Sequence, residues 1–145
     1  MPTPSEWLLL ALTEAAARSL SPVQVQKTMF VFSKGAAGSL GRENFYAFVP
    51  YNYGPLDSAI YKDLADLERR GLVEIYNPTS GGARRYAVTP LGIFTAAGIR
   101  TQDERHADFL RGVVRWVEVK SFPDLIRAIY NHWPEYRQNS VFAEP

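Results

Sequence analysis

Two histidines, His106 and His132, are the chain's only imidazoles. They fall in different helical segments, and neither has a second histidine at metal-binding spacing; the H-E-x-x-H pattern of zinc proteases does not occur. Asp63 and Asp66 stand three apart on one helix face, where they could hold a cation or form an ordinary solvated pair. There are no cysteines, which removes a disulfide framework, thiolate metal ligands and a cysteine nucleophile together. Gly81-Gly82 is not followed by the Lys-Ser/Thr of a phosphate-binding loop and reads as a turn. No G-x-S-x-G elbow is present. His132, beside Trp133, suits the C-terminal end of a helix dipole. These residues point away from an enzyme, and no metal or cofactor is expected.

The residues suited to binding are charged and aromatic. Over residues 54–89, Lys62, Arg69, Arg70, Arg84 and Arg85 face an equal number of acids, Asp57, Asp63, Asp66, Glu68 and Glu74, and formal net charge is only +1. Strong nucleic-acid binders usually show a basic stripe, so a basic patch here must come from local arrangement. The alternative is a solvated surface in which the arginines pair with Asp66, Glu68 and Glu74. Phe45, Tyr46, Phe48, Tyr51 and Tyr53 could stack on bases or serve as core and elbow residues. The tail aromatics Trp116, Phe122, Tyr130, Trp133, Tyr136 and Phe142 exceed what one short helix pair needs. Trp116, Tyr130, Trp133, Tyr136 and Phe142 are therefore candidate interface residues.

The elements that must position these groups are legible from periodicity and caps. Apolar residues at three- and four-residue spacing predict a helix over 5–20. Ser21-Pro22-Val23-Gln24 is a capping box opening a second helix to about Lys34, followed by a Gly-rich loop over 35–42. Phe45–Val49 is a short strand or extended run. Gly54-Pro55 then opens a third helix whose core stripe is Leu56, Ile60, Leu64 and Leu67, ended by Gly71. Leu72–Tyr76 and Ala83–Val88 read as a hairpin across the N-P-T-S-G-G turn. Thr89-Pro90 starts a fourth helix. Thr101-Gln102-Asp103-Glu104 is a capping box for a fifth, and Ser121-Phe122-Pro123-Asp124 starts the last, closed by Trp133-Pro134. Within the Y-N-Y-G-P-L stretch at 51–56, the two tyrosines wedge the incoming chain against the core.

The order of three helices, a hairpin and a helix is that of a winged helix. The pattern D-L-x-x-L-x-x-R-G-L-V-E, a Gly-rich turn, then R-R-Y-A-V-T-P-L-G over 55–95 resembles winged helix-turn-helix regulators of the multidrug-resistance and phenolic-acid-repressor type. That resemblance implies a third helix in the major groove and a wing on the phosphates. Lys62, Arg69, Arg70, Arg84 and Arg85 would then contact phosphate in double-stranded DNA, with Ser58 and Tyr61 nearest the bases. A second set of residues points elsewhere. V-Q-K-T-M-F-V-F (25–32), Y-G-P-L followed by I-Y-K-D-L (53–64) and I-Y-N-H-W-P-E-Y-R-Q-N-S (129–140) resemble the Panacea, or SocA-like, domain. Val25 and Phe30 stand where that family has leucine and tyrosine. This resemblance implies an antitoxin-like or adaptor protein that binds a protein partner such as a toxin or protease substrate, in a prophage or mobile-element setting.

The expectation is therefore mainly α, with a small β-hairpin wing: a winged-helix-like core over 1–100 and a C-terminal helical extension over 101–145 packed on the same domain. Hydrophobic content of 46% supports a folded core. The N-terminal stretch is a poor signal peptide, and no apolar run approaches the ~20 residues of a membrane helix. A cytoplasmic protein, dimeric with itself and not membrane-bound, is expected. Its leading function is a small DNA-binding transcriptional regulator, and the alternative is the protein-binding module.

Overall fold

A computed structural model describes residues 1–40 and 45–142, with the side chains of 37–40 left aside. The chain is mainly helical with a small antiparallel sheet. The order is α1 (Pro4–Glu14), β1 (Ser19–Leu20), α2 (Pro22–Leu40), β2 (Val49–Tyr51), β3 (Gly54–Leu56), α3 (Ala59–Arg69), β4 (Val73–Tyr76), β5 (Arg85–Val88), α4 (Pro90–Gln102), α5 (Glu104–Glu118) and α6 (Phe122–His132), with a 3-10 turn at Pro134–Arg137. Among the described residues no helix is long and apolar enough to cross a membrane.

α1 is set by a capping box: Thr3 Oγ1 accepts from the Glu6 amide, and the Glu6 carboxylate accepts from the Thr3 amide. The helix is shorter than its apolar pattern suggests. It stops at Glu14, and Arg18, at a φ of 56°, turns the chain into a two-residue strand. That strand pairs with the return strand of the hairpin, Ser19 opposite Ala87 and Leu20 opposite Tyr86. The wing is thus three-stranded, in the order β1-β5-β4.

α2 runs beyond the expected Lys34 to Leu40, so the Gly-rich segment begins as helix; residues 41–42 of the expected loop lie outside the described residues. Position 35 of the helix requires glycine, because the Phe109 ring of α5 occupies the space a Cβ would need. From Val25 to Phe30 every residue of α2 is buried. A helix enclosed all round in this way is the central element of a domain.

Gly54-Pro55 does not open the third helix. It is the second strand of a tight hairpin, with Val49 opposite Leu56, Pro50 opposite Pro55 and Tyr51 opposite Gly54. Gly54 has a φ of +96°, a backbone state that glycine adopts without a Cβ clash, and the prolines tolerate a two-stranded ladder because its edges ask for few donors. α3 starts four residues later, at Ala59, where the Asp57 carboxylate accepts from the Ala59 amide. Its core stripe is Ile60, Leu64 and Leu67.

The cap of α5 also differs from expectation. Thr101 lies in the last turn of α4, and Asp103 is the residue whose side chain accepts from the His106 amide. Asp103 also holds His106 Nδ1 at 2.7 Å. The imidazole is thereby a helix-start residue, and it packs edge-on to Trp7.

Two clusters make the interior. α1, α2, α3, the wing and α4 share the first with Ala107, Leu110 and Val114 of α5. The second gathers Phe30, Val113, Val117 and four residues of α6. α5 contributes to both, so residues after 101 are built into the core.

Candidate functional site

The face expected to read DNA is only partly available. Ser58 and Lys62 are exposed, whereas Tyr61 is half-buried, its ring stacked on Tyr86 of the wing at 6.4 Å. Burial raises the Tyr61 phenol's pKa, and a hydrogen bond with Gln26 opposes the shift. Tyr61 therefore braces α3 against β5, and a base could reach it only at its edge. Arg69 and Arg70 both lie on Asp66, at 3.1 and 3.7 Å, the i,i+3 and i,i+4 pairs that helix geometry brings together. Arg85 turns inward: its guanidinium donates to the Ser19 carbonyl and hydroxyl at 3.0 and 2.8 Å, tying β5 to β1. Arg84 is exposed on the wing loop. Of the five basic residues, Lys62 and Arg84 carry neither an ion pair nor a side-chain hydrogen bond among the described residues. Asp63 is not a partner of Asp66 in a cation pair, because it accepts from the Tyr46 hydroxyl. Burial, and next that bond to Asp63, holds Tyr46 far above the ordinary phenol range. Among the described residues no cluster of three or more acids or histidines could hold a metal.

The tail aromatics are largely absorbed inside. Tyr130 is 2% exposed, and its hydroxyl hydrogen-bonds Ser140 at 2.6 Å. Phe30 is ringed edge-on by Phe48, Trp133 and Tyr136 at 5.4, 5.0 and 4.7 Å. Phe142 packs on Phe122 and Tyr130. The surplus inferred from one helix pair disappears because α2 and the hairpin supply a second wall. Trp116, Trp133, Tyr136 and Phe142 remain half-buried, so they keep a solvent edge, whereas Tyr130 has none to offer a partner.

The arrangement missed in the sequence is a polar clamp between α2 and the β2–β3 hairpin. The Gln26 amide pairs both ways with the Asp57 backbone, Nε2 donating to its carbonyl at 2.9 Å and Oε1 accepting from its amide at 3.0 Å. Lys27, 2% exposed, donates from Nζ to the Pro55 carbonyl at 3.1 Å. Gly54 passes over the same ammonium stem and the Tyr130 ring, 3.5–3.8 Å from where its Cβ would stand. Burial pulls the Lys27 pKa down to about 8, since a desolvated ammonium with one carbonyl partner is easier to deprotonate. Asp57 completes the clamp by accepting from the Ala47 and Ala59 amides. No local signal marked it: in sequence Gln26 and Lys27 stand with Gln24, Thr28 and Lys34 among the polar residues of α2, and the fold is what buries them. The hairpin tip is fastened from outside as well, where the Asn52 carbonyl accepts from the Val141 amide at 2.9 Å.

Comparison with known protein families finds none that matches the chain, and comparison with curated proteins finds no relative.

Proposed function

We propose that the chain is a protein-binding module of the antitoxin-like or adaptor kind, a winged-helix-like core serving as scaffold for a partner protein. The observation that carries this reading is the clamp. Gln26-Lys27 and Tyr53-Gly54-Pro55 are the specific segments on which the resemblance to the Panacea, or SocA-like, domain rests, and they meet through Lys27 Nζ and the Pro55 carbonyl. A buried lysine on a carbonyl is costly unless the geometry is kept, so the two segments work as one device. The reading also fits the charge: Arg69 and Arg70 share one carboxylate, Asp66, and Arg85 turns inward to Ser19.

The second reading, a DNA-binding regulator acting as a homodimer, is favoured by Lys62 and Arg84, exposed on α3 and the wing loop. Titration of a labelled duplex at low and moderate salt separates the two. The protein-binding reading expects weak binding at low salt at most, little changed by Arg84→Ala with Lys62→Ala. Tight binding with a steep salt slope, lost in that double variant, establishes the regulator instead.

A further inference from the structure

We propose that the outer face of α5 and the end of α6 form the groove in which the partner docks, and that the partner presents a helical segment with large apolar side chains flanked by carboxylates. The inference rests on the protein-binding reading above and locates its surface. α5 buries one face, Ala107, Leu110, Val114 and Val117. Its opposite face carries Arg105, Phe109, Gly112, Trp116 and Val119 at spacings of three and four residues, which places them on one stripe. Phe109 and Val119 are 41% and 80% exposed. Phe109, Trp116 and Trp133 wall a groove of about 500 Å³ over this stripe, within the size range of sites that take a ligand or an anchoring side chain. Gly112 forms its floor. Nothing lies within 4 Å of where a Cβ would stand there, so the missing side chain is space left open in mid-helix, where glycine costs about 1 kcal/mol against alanine.

Charge selects the occupant. Arg105 and Arg115 are exposed on this side of α5 and carry no ion pair among the described residues. The one carboxylate lining the groove, Asp108, is held by Arg100, and Lys120 lies 3.9 Å from the centre of the Trp116 ring. The rim therefore offers cations in want of acids. A second copy packed on the same face would set these arginines against themselves, since a two-fold contact presents the same patch from both sides. An amphipathic acidic helix supplies both halves, apolar anchors at helical spacing and carboxylates beside them.

The probe is a synthetic amphipathic peptide with Leu and Phe at four-residue spacing and Glu and Asp on either side, titrated into the full chain. Trp116 and Trp133 report it, Trp7 being buried. The proposal expects saturable binding, at least about tenfold weaker for Gly112→Leu and for Arg105→Glu with Arg115→Glu, a loss of about 1.4 kcal/mol. A peptide with lysines in place of the acids should bind more weakly still, and Tyr76→Ala, an exposed aromatic on the wing, should bind normally. Gly112 faces open space in mid-helix, so an unfolding midpoint unchanged or raised accompanies the loss in Gly112→Leu. Absence of peptide binding, equal binding by Gly112→Leu, preference for a single-stranded oligonucleotide, or self-association abolished by Gly112→Leu would each overturn the groove. If a native protein complex is retained by Gly112→Leu, the groove is refuted and the protein-binding reading stands; if no protein complex exists, that reading itself is refuted.

Discussion

Gly92 and Gly98 lie in the same helix and answer the same substitution in opposite ways. A Cβ on Gly92 would fall on the Leu72 carbonyl oxygen and the Val88 side chain. That carbonyl cannot retreat, because it accepts from the Thr89 amide at 3.0 Å. Gly92→Ala should therefore lower stability by about 2 kcal/mol or more. Gly98 meets nothing, and Gly98→Ala should raise stability by up to about 1 kcal/mol. Urea unfolding of both variants checks the pair; equal midpoints would contradict the close approach at Gly92. The V-T-P-L-G run of the wing exit thus has a structural origin, with Thr89 bridging the Gly71 carbonyl and the Gly92 amide. Lys27 gives a pH prediction. Its folded pKa, about 8, is below the ordinary 10.5, so between those values the unfolded chain holds more protons and stability rises with pH. Below pH 8 both states are protonated and the burial penalty is fully present. Lys27→Met should lose this rise, so that the wild type gains on the variant between pH 7 and 10. Thermal unfolding at both pH values measures it, and a constant difference would contradict a desolvated ammonium.

At the scale of elements, Glu14 is the junction. It ends α1, its side chain is 11% exposed, and it holds Arg100 of α4 at 3.3 Å and Arg111 of α5 at 2.8 Å. Glu118 at the far end of α5 accepts from the Ala16 amide. Neutralising this enclosed carboxylate removes the ion pair of Arg111 and leaves Arg100 with Asp108 alone, so Glu14→Gln should lower stability. Hydrogen exchange should show the loss first in α4 and α5; a change confined to the wing would contradict this role. The same elements show where sequence reading succeeds. The caps at Ser21, Thr89 and Ser121 and the stripe Ile60-Leu64-Leu67 are local signals, and local structure obeys them. The hairpin at 49–56 was read as a helix start, because Gly-Pro serves both purposes and only cross-strand pairing distinguishes them. β1 and the helical Gly35 were hidden for the same reason: each is fixed by a distant partner, Tyr86 in one case and Phe109 in the other. The clamp was illegible as a pair, since Gln26 and Asp57 are far apart in sequence, and nothing in the mixed polar and apolar pattern of α2 singles out Lys27 as buried.

For the whole molecule, the helical, winged architecture was legible from element order, and the distribution of charge over it was not. Pairing alters what a surface offers: Arg85 turns inward to Ser19, the exposed Arg69 and Arg70 share one carboxylate, Asp66, and Arg105 and Arg115 on α5 carry no ion pair among the described residues. A molecule built this way is expected to meet proteins through its helical side and to bind duplexes weakly. The measurement that tests this most directly is purification of the full chain from its native host under mild salt, with and without nuclease, identifying whatever protein and nucleic acid accompany it. The predicted result is one protein in fixed proportion, retained after nuclease treatment. A complex containing only double-stranded DNA, dispersed by nuclease, would contradict it.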